Sequence, residues 1–217
     1  NPTGAITEPH ELRAIFDLAR KHDIYIYADE IYSRMVYEKS DFFSIASVDA
    51  CRERVILSNG LSKAFAMTGW RLGTVVAPPE IAERMMMLLQ TTASCVSPFI
   101  QRAGVEAILG DQSRVTEMMG VYRSRRDSLV KGLNAIPEIQ VSLPGGAFYV
   151  FADIRETGFT SAEFADFALE VAGVALLPGT DFGSQGEGFV RLAYANSEEN
   201  IDLAVERLGD ALRRRTK

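Results

Sequence analysis

The sequence predicts an α/β protein. Amphipathic helical segments alternate with short apolar runs of strand length, beginning with a helix over 8–22 and a strand over 24–28. A helix that leads directly into a buried strand is half of a βαβ unit, the building block of this fold class. Hydrophobic residues make up 47% of the 217 residues, which is enough for one large domain or two small ones with real cores.

The first part of the chain contains three predicted strands. In the helix over 8–22, apolar side chains recur at helical spacing, at Leu12, Ile15, Phe16 and Ala19. After the strand over 24–28, further strands are predicted at 54–57 and 72–77. Helices are expected at 79–91, 98–109 and 112–134, and the last is long enough to connect two domains.

The pattern of predicted elements changes near residue 138. Strands are predicted at 141, 148–151, 174–177 and 189–193, and they alternate with helices at 161–171 and 197–214. This pattern indicates a small α/β unit with its own core. We therefore assign 1–112 to a portion of a larger domain and 113–217 to a connector helix with a small C-terminal domain.

Composition excludes several classes of partner. The net charge of −6 and the isoelectric point near 5.1 give no general attraction to nucleic acid or to anionic membranes. Two cysteines, Cys51 and Cys95, do not make a disulfide framework, so a cytoplasmic location is expected. His10 and His22 match no metal-ligand spacing, and no apolar run is long enough to cross a bilayer.

Two chemically active side chains follow predicted strands. In open α/β sheets, ligands bind outside the carboxyl ends of the strands. Asp29 ends the strand over 24–28, and Lys63 lies in the segment that follows the strand over 54–57, among small and apolar residues. Enclosure of that kind partly desolvates a lysine and makes it a usable nucleophile or base. A solvated surface lysine and a turn-forming aspartate are the alternatives.

Two arginines are candidate anion-binding groups. Arg71 comes eight positions after Lys63, and its guanidinium suits a phosphate clamp as well as it suits a surface salt bridge. Arg191 lies inside an apolar strand, where it must face an anion, water or the sheet edge. A substrate carboxylate is one candidate partner for Arg191, and a structural ion pair is the other.

Six segments of the chain stand out together. They are the NPTG turn at 1–4, the D-x-x-Y element within 28–32, the lysine segment over 58–73, the segments at 145–148 and 178–183, and the strand around Arg191. In order and rough spacing they resemble the pyridoxal 5'-phosphate (PLP) aminotransferases of class I/II, the aspartate-aminotransferase-like enzymes of fold type I, in which the longest segment carries the cofactor lysine. Because the chain opens on the NPTG turn, we expect it to be the C-terminal part of such an enzyme, without the N-terminal half.

The resemblance implies a role for each matching residue. Lys63 attaches PLP covalently as a Schiff base and then moves the proton at the substrate α-carbon. Asp29 pairs with the pyridine nitrogen, Tyr32 and Asn1 bond the phenolic oxygen of the cofactor, and Arg71 holds its phosphate. Arg191, together with Asn1, binds the substrate α-carboxylate. Many relatives carry serine where Gly60 stands here, which leaves Ser58 and Ser62 as candidate phosphate-binding hydroxyls.

The resemblance therefore implies an aminotransferase that acts on an amino acid and a 2-oxo acid and is a homodimer when intact. A PLP-dependent β-lyase or an α-carbon synthase is the alternative enzyme, although lyases commonly have another residue in place of Tyr32. An inactive fragment or binding module is the non-enzymatic alternative. A fused DNA-binding regulator has no support, because no basic patch or helix-turn-helix precedes Asn1.

Overall fold

The computed structural model describes residues 1–37 and 42–215. The chain divides into two compact units. The first, called the lysine unit here, comprises Ile6–Glu117, and the second, called the arginine unit, comprises Asn1–Ala5 with Met118–Lys217. Within the described residues, no helix is long and apolar enough to span a membrane.

The lysine unit is built on a three-stranded sheet with the order β1-β2-β3. Its strands are β1 (Ile26–Asp29), β2 (Val55–Gly60) and β3 (Gly73–Val76), with β1 and β2 parallel and β2 and β3 antiparallel. Its helices are α1 (Pro9–Lys21), α2 (Ala46–Asp49), α3 (Pro79–Thr92) and α4 (Pro98–Leu109), and α5 (Ser113–Asn134) begins in this unit. The predicted strands and long helices are confirmed to within a few residues at their ends.

Local sequence explains why α1 begins and packs where it does. Glu8 and Glu11 form a capping box, and Pro9 occupies the first helical position, where it needs no hydrogen-bond donor. Phe16 and Ala19 are buried as the helical spacing predicted, but Ile15 is 45% exposed. Phe16 packs in a small core with Ile45, Cys51 and Val55 under β1 and β2. The four-residue α2 was missed because it is too short to show a period.

The arginine unit holds a four-stranded sheet with the order β4-β5-β7-β6, and all its pairs are antiparallel. The strands are β4 (Gln140–Val141), β5 (Tyr149–Asp153), β6 (Leu177–Pro178) and β7 (Phe189–Ala193). Helices α6 (Ser161–Glu170) and α7 (Glu198–Arg215) accompany the sheet, as does the larger part of α5. Thr160 and Glu163 form a capping box at the start of α6.

The strand predicted at 174–177 is largely wrong. Pairing with β7 is confined to Leu177 and Pro178. The reason is that the backbone N–H of Val174 donates to the carbonyl of Ala168 at 2.8 Å, which ties the segment to the end of α6. Gly173 adopts a φ of +67°, which turns the chain at the helix exit. Pairing with β7 therefore begins at Leu177, three residues later than the apolar pattern predicted.

Candidate active site

The carboxyl ends of β1 and β2 lie at one edge of the lysine unit's sheet. Because these strands are parallel and in register, Asp29 is the direct neighbour of Ser58. The Ser58 hydroxyl donates to Asp29 Oδ1 at 3.5 Å, and the backbone N–H of Ile31 donates to the same oxygen at 3.2 Å. The strand-end geometry expected from the sequence is therefore present. Asp29 is an exposed residue, although it ends an apolar strand.

Tyr32 lies in the turn directly after β1 and is half-buried. The backbone of this turn is closed by hydrogen bonds from Ser33 to Glu30 and from Met35 to Tyr32. The side chain of Glu30 points to a different part of the unit from Asp29, since its Oε1 accepts from the Ser44 hydroxyl at 2.8 Å and from the Ile45 N–H at 3.2 Å. Burial raises the pKa of Glu30 above its ordinary value.

Lys63 and Arg71 lie on the loop that joins β2 to β3. The base of this loop is closed by the Gly60–Gly73 pair and by a hydrogen bond from the Leu61 N–H to the Leu72 carbonyl at 3.2 Å. Because β2 runs parallel to β1, the loop leaves the sheet at the edge where Asp29 and Ser58 lie. One short loop therefore carries an amine and a guanidinium to the edge that already carries a carboxylate and a hydroxyl.

The backbone around Lys63 is anchored on both sides. Leu61, Ala64 and Met67 are buried, and the Ala66 N–H closes a turn on the Lys63 carbonyl at 3.2 Å. Lys63 itself is half-buried. The small and apolar neighbours of Lys63 are therefore packed into the unit, and they place the lysine in a partly enclosed position.

Arg71 is exposed and adopts a left-handed φ of +52° at the end of the short 3-10 helix Thr68–Trp70. Its Nη1 donates to the Thr68 carbonyl at 3.0 Å. The Thr68 hydroxyl in turn donates to the Ser62 carbonyl at 3.0 Å, which links the arginine end of the loop to the lysine end. Exposure leaves the remaining guanidinium donors facing solvent, where an anion can reach them.

Position 60, at the end of β2, lies close to the end of the Ile31 side chain. Gly60 is buried, and a Cβ added there would lie 2.8 Å from Cδ1 of Ile31. A serine at this position requires the Ile31 side chain to move. The Ser58 hydroxyl, two positions earlier in β2, donates to Asp29.

Sequence reasoning missed a polar pair next to the loop. Nδ2 of Asn59 donates to the Ser33 hydroxyl at 3.0 Å, and both residues line a cavity of about 150 Å³ that also contacts Ala64 and Phe65. Neither residue has an apolar or charged context that singles it out. The only local signal was that Asn59 falls within the run over 58–73.

The arginine unit contains the other predicted site residues. Arg191 lies in β7 between Phe151 of β5 and Leu177 of β6, and it is half-buried. Its Nη1 donates to Oδ1 of Asn1 at 2.7 Å, so two residues 190 positions apart meet. The sequence left open a substrate carboxylate or a structural ion pair as the partner of Arg191, and the hydrogen bond described here is to an amide oxygen.

The segment around Asn1 is fixed to the same unit. The Gly4 carbonyl accepts from the N–H groups of Gly145 and Gly146 at 2.9 and 3.0 Å. Gly4 has a φ of +70°, and a Cβ there would collide with Pro144, so only glycine fits. The motifs at 1–4 and 145–148 are therefore two halves of one local structure that holds Asn1 near Arg191.

The lysine unit thus carries an amine, a carboxylate and a guanidinium at one sheet edge, which are the groups that an anionic, aldehyde-bearing cofactor needs. The arginine unit, taken by itself, carries a guanidinium of the kind that suits a carboxylate. The model of the family "Aminotransferase class I and II" matches residues 1–208. The chain belongs to that family.

Among curated relatives, an aspartate aminotransferase of Pyrococcus abyssi is 42% identical over 217 residues, covering 98% of this chain and 55% of that protein. The aromatic-amino-acid aminotransferase 2 of Thermococcus litoralis is 41% identical, with the same coverage. A crystal structure of an aromatic aminotransferase from Pyrococcus horikoshii OT3 superposes with a TM-score of 0.95 at 43% identity, over all of this chain and 58% of that one. The chain thus spans about half the length of the relatives it matches.

The residues present fit the PLP that aminotransferases of this family use. An aldehyde requires an amine, which Lys63 supplies, and a pyridinium requires a carboxylate, which Asp29 supplies with an accessible oxygen. A phosphate requires donors, and Arg71 supplies them from the same loop as the amine. The lysine unit therefore carries one side chain of suitable chemistry for each of these three parts of the cofactor.

Proposed function

We propose that the protein containing this chain is a PLP-dependent aminotransferase that transfers an amino group between an L-amino acid and a 2-oxo acid. The observation that carries this proposal is the shared edge of the β1–β2 sheet, where Asp29 and Ser58 are neighbours and the loop bearing Lys63 and Arg71 begins. Aspartate and aromatic aminotransferases among the relatives support the same reaction class.

Each residue has a proposed task in this reaction. When bound, PLP supplies an electron sink for the electrons of the substrate Cα–H bond. Lys63 would hold the cofactor by its amine and would move the proton at the substrate α-carbon as a positioned base. Asp29 keeps the ring nitrogen protonated through its negative charge. Arg71 is proposed to bind the phosphate, with Ser58 as a second donor once its hydroxyl turns away from Asp29.

Binding of the substrate falls to other side chains. Arg191 is the proposed partner of the α-carboxylate, since a guanidinium matches a carboxylate with two parallel hydrogen bonds. Asn1 is proposed to orient Arg191 through the 2.7 Å hydrogen bond and to contact the cofactor. Tyr32 is proposed to donate its hydroxyl to the phenolic oxygen of the cofactor.

We further propose a homodimer in the cytoplasm. The lysine unit exposes large apolar side chains on α3 and α4, including Met87, Leu88 and Phe99 at 59%, 64% and 68% exposure, which is the kind of surface that subunits cover. Two cysteines without a disulfide, Cys51 and Cys95, fit a reducing compartment. The lysine and arginine units are proposed to be a portion of the large domain and the small domain; they differ from the division predicted at residues 112 and 113 because Asn1–Ala5 belongs to the arginine unit and the later boundary falls after Glu117.

The test is borohydride reduction of the full-length protein with PLP, followed by peptide mass analysis. We expect the reduced cofactor on the peptide that contains Lys63, and we expect amino transfer from an amino acid to a 2-oxo acid. Formation of a lyase product such as ammonia with a 2-oxo acid, in place of transfer, would overturn the proposed reaction. A label on any other lysine would overturn the assignment of Lys63.

A further inference from the structure

Arg191 is held between two aromatic rings. Its guanidinium carbon lies 4.2 Å from the ring centroid of Tyr149 and 4.6 Å from that of Phe182. At such distances the ring quadrupole attracts the cation and its apolar faces restrict its position. The hydrogen bond from Nη1 to Asn1 Oδ1 supplies a third restraint at the edge of the guanidinium. Tyr149 comes from β5, next to β7, but Phe182 comes from outside the sheet.

Phe182 is carried by a loop that closes on itself. Two short 3-10 helices, Gly179–Phe182 and Ser184–Gly186, are joined at Gly183, which has a φ of +119°. Gly179 and Gly186 bring the two ends of the loop together so closely that a Cβ on either would overlap the backbone carbonyl of the other. Backbone atoms cannot rotate away as a side chain can, so this closure requires glycine at both positions.

The ring of Phe182 is also supported from the sheet. Phe151 meets it edge-to-face, with centroids 6.3 Å apart and planes at 89°. Phe189 stacks on Phe151 at 5.1 Å with planes 3° apart. Phe151 is the cross-strand partner of Arg191 in the sheet. The loop closure and these two rings together determine where the face of Phe182 can lie.

We propose that Phe182 is a positioning residue that fixes the plane of Arg191 for two-point recognition of a carboxylate, and that the glycine-closed loop Gly179–Gly186 serves to hold it. This inference rests on the proposed carboxylate role of Arg191. A free arginine side chain loses rotamer entropy when it binds, so restraint before binding improves affinity for a planar anion. The benefit is specific to geometry, because an uncharged amide cannot use both guanidinium donors in the same way.

The experiment compares propionate with propionamide as probes, by calorimetric titration of the full-length, cofactor-bound protein. For Phe182→Leu, which retains an apolar contact with Phe151, we expect propionate to bind about tenfold more weakly, given the typical strength of a cation–π contact. We expect the affinity for propionamide to be unchanged. In steady-state assays, KM for the amino donor should rise with a smaller change in kcat.

Matched controls separate positioning from general damage. Phe159→Leu removes a ring that lies 3.8 Å from the Arg215 guanidinium in the same unit, so it should leave propionate binding as it is. Gly186→Ala should weaken propionate binding as Phe182→Leu does, because it opens the loop, whereas Gly120→Ala has open space around it and should have no effect.

The outcomes distinguish the inference from the function on which it rests. Unchanged propionate affinity in Phe182→Leu, or equal weakening of both probes, would overturn the positioning role. Arg191→Lys keeps the charge and loses the planar fork, and it should bind propionate more weakly than the unsubstituted protein. If Arg191→Lys binds propionate normally, the proposed carboxylate role of Arg191 is itself wrong.

Discussion

The two units present their chemical groups in different ways. In the arginine unit, Arg191 is enclosed by Tyr149, Phe182 and Asn1 and lies over a well-packed core. In the lysine unit, Asp29 and Arg71 lie at an exposed sheet edge, and Lys63 is only half-buried. The first arrangement fixes a side chain within the unit itself. The second anchors the backbone of the loop, while Asp29 and Arg71 remain exposed beside their own contacts with Ser58 and Thr68.

The same contrast extends to the apolar residues. Most of the large side chains with less than 2% exposure belong to the arginine unit, including Tyr194, Phe164 and Ile154. Most of the exposed large apolar side chains belong to the lysine unit, on β3, α3 and α4. A unit with a closed core needs no further surface for its stability, whereas one that exposes so much apolar area is stabilised when that area is covered.

The largest expected effect tests whether the open edge of the lysine unit is the reactive one. Lys63→Ala should abolish the absorbance of the lysine-bound cofactor and lower the rate of amino transfer by at least about 10²–10⁴-fold, the typical range for removal of a general base. Absorbance spectra and single-turnover assays on the full-length protein measure both. Lys21→Ala, at the exposed end of α1, is the control and should behave normally. Retention of the cofactor band in Lys63→Ala would contradict the assignment.

The second prediction compares the two units by stability. Phe164 in α6 is fully buried, so Phe164→Ala should lower the free energy of unfolding by about 3–5 kcal/mol. Leu88 in α3 is 64% exposed, so Leu88→Ala should change it by no more than about 0.5 kcal/mol. Urea denaturation of the 217-residue chain measures both changes. A comparable loss for the two variants would show that the α3 surface is buried in an assembly.

The elements that the sequence predicted best are those with a long local pattern. Helix α1 shows apolar spacing, a capping box and a proline at its start, and β7 coincides with the run at 189–193, which is apolar except for Arg191. The predicted strand at 174–177 failed because a backbone hydrogen bond from Val174 to Ala168 ties this apolar run to the end of α6. Local patterns carry no information about such a tertiary bond.

The candidate site residues could be predicted from the sequence, but most of the residues that contact them and their exposure to solvent could not. Asp29 and Lys63 could be identified because each follows a strand, and a strand end is a local feature. The family resemblance already named Asn1 together with Arg191, but nothing in the sequence indicated Tyr149 and Phe182, which meet Arg191 only through the sheet and the closed loop. The exposure of Asp29 could not be predicted either, because an apolar strand looks the same whether or not its last residue is covered.

The smallest predicted effect is a pair of pH dependences with opposite signs. In the lysine unit, burial raises the pKa of Glu30, so its stabilising contribution is complete below its ordinary value of 4.5 and is lost as pH rises through the folded pKa. In the arginine unit, the Arg155 side chain donates to Asp153 at 2.9 Å and lowers the pKa of that carboxyl. The contribution of Asp153 is therefore complete above its ordinary value of 3.8 and is lost as pH falls through the folded pKa.

Glu30→Gln and Asp153→Asn should consequently shift stability in opposite directions at neutral pH. A glutamine oxygen can still accept from Ser44 and Ile45 without the cost of a buried charge, so Glu30→Gln should be slightly more stable than the unsubstituted chain. Asp153→Asn loses an ion pair and should be slightly less stable, and both changes should remain below about 1 kcal/mol because water screens these groups. Urea denaturation at a series of pH values should show both differences shrinking as the carboxyls become protonated. Differences of the same sign at neutral pH would mean that one of the two carboxyls is in a different environment from the one described.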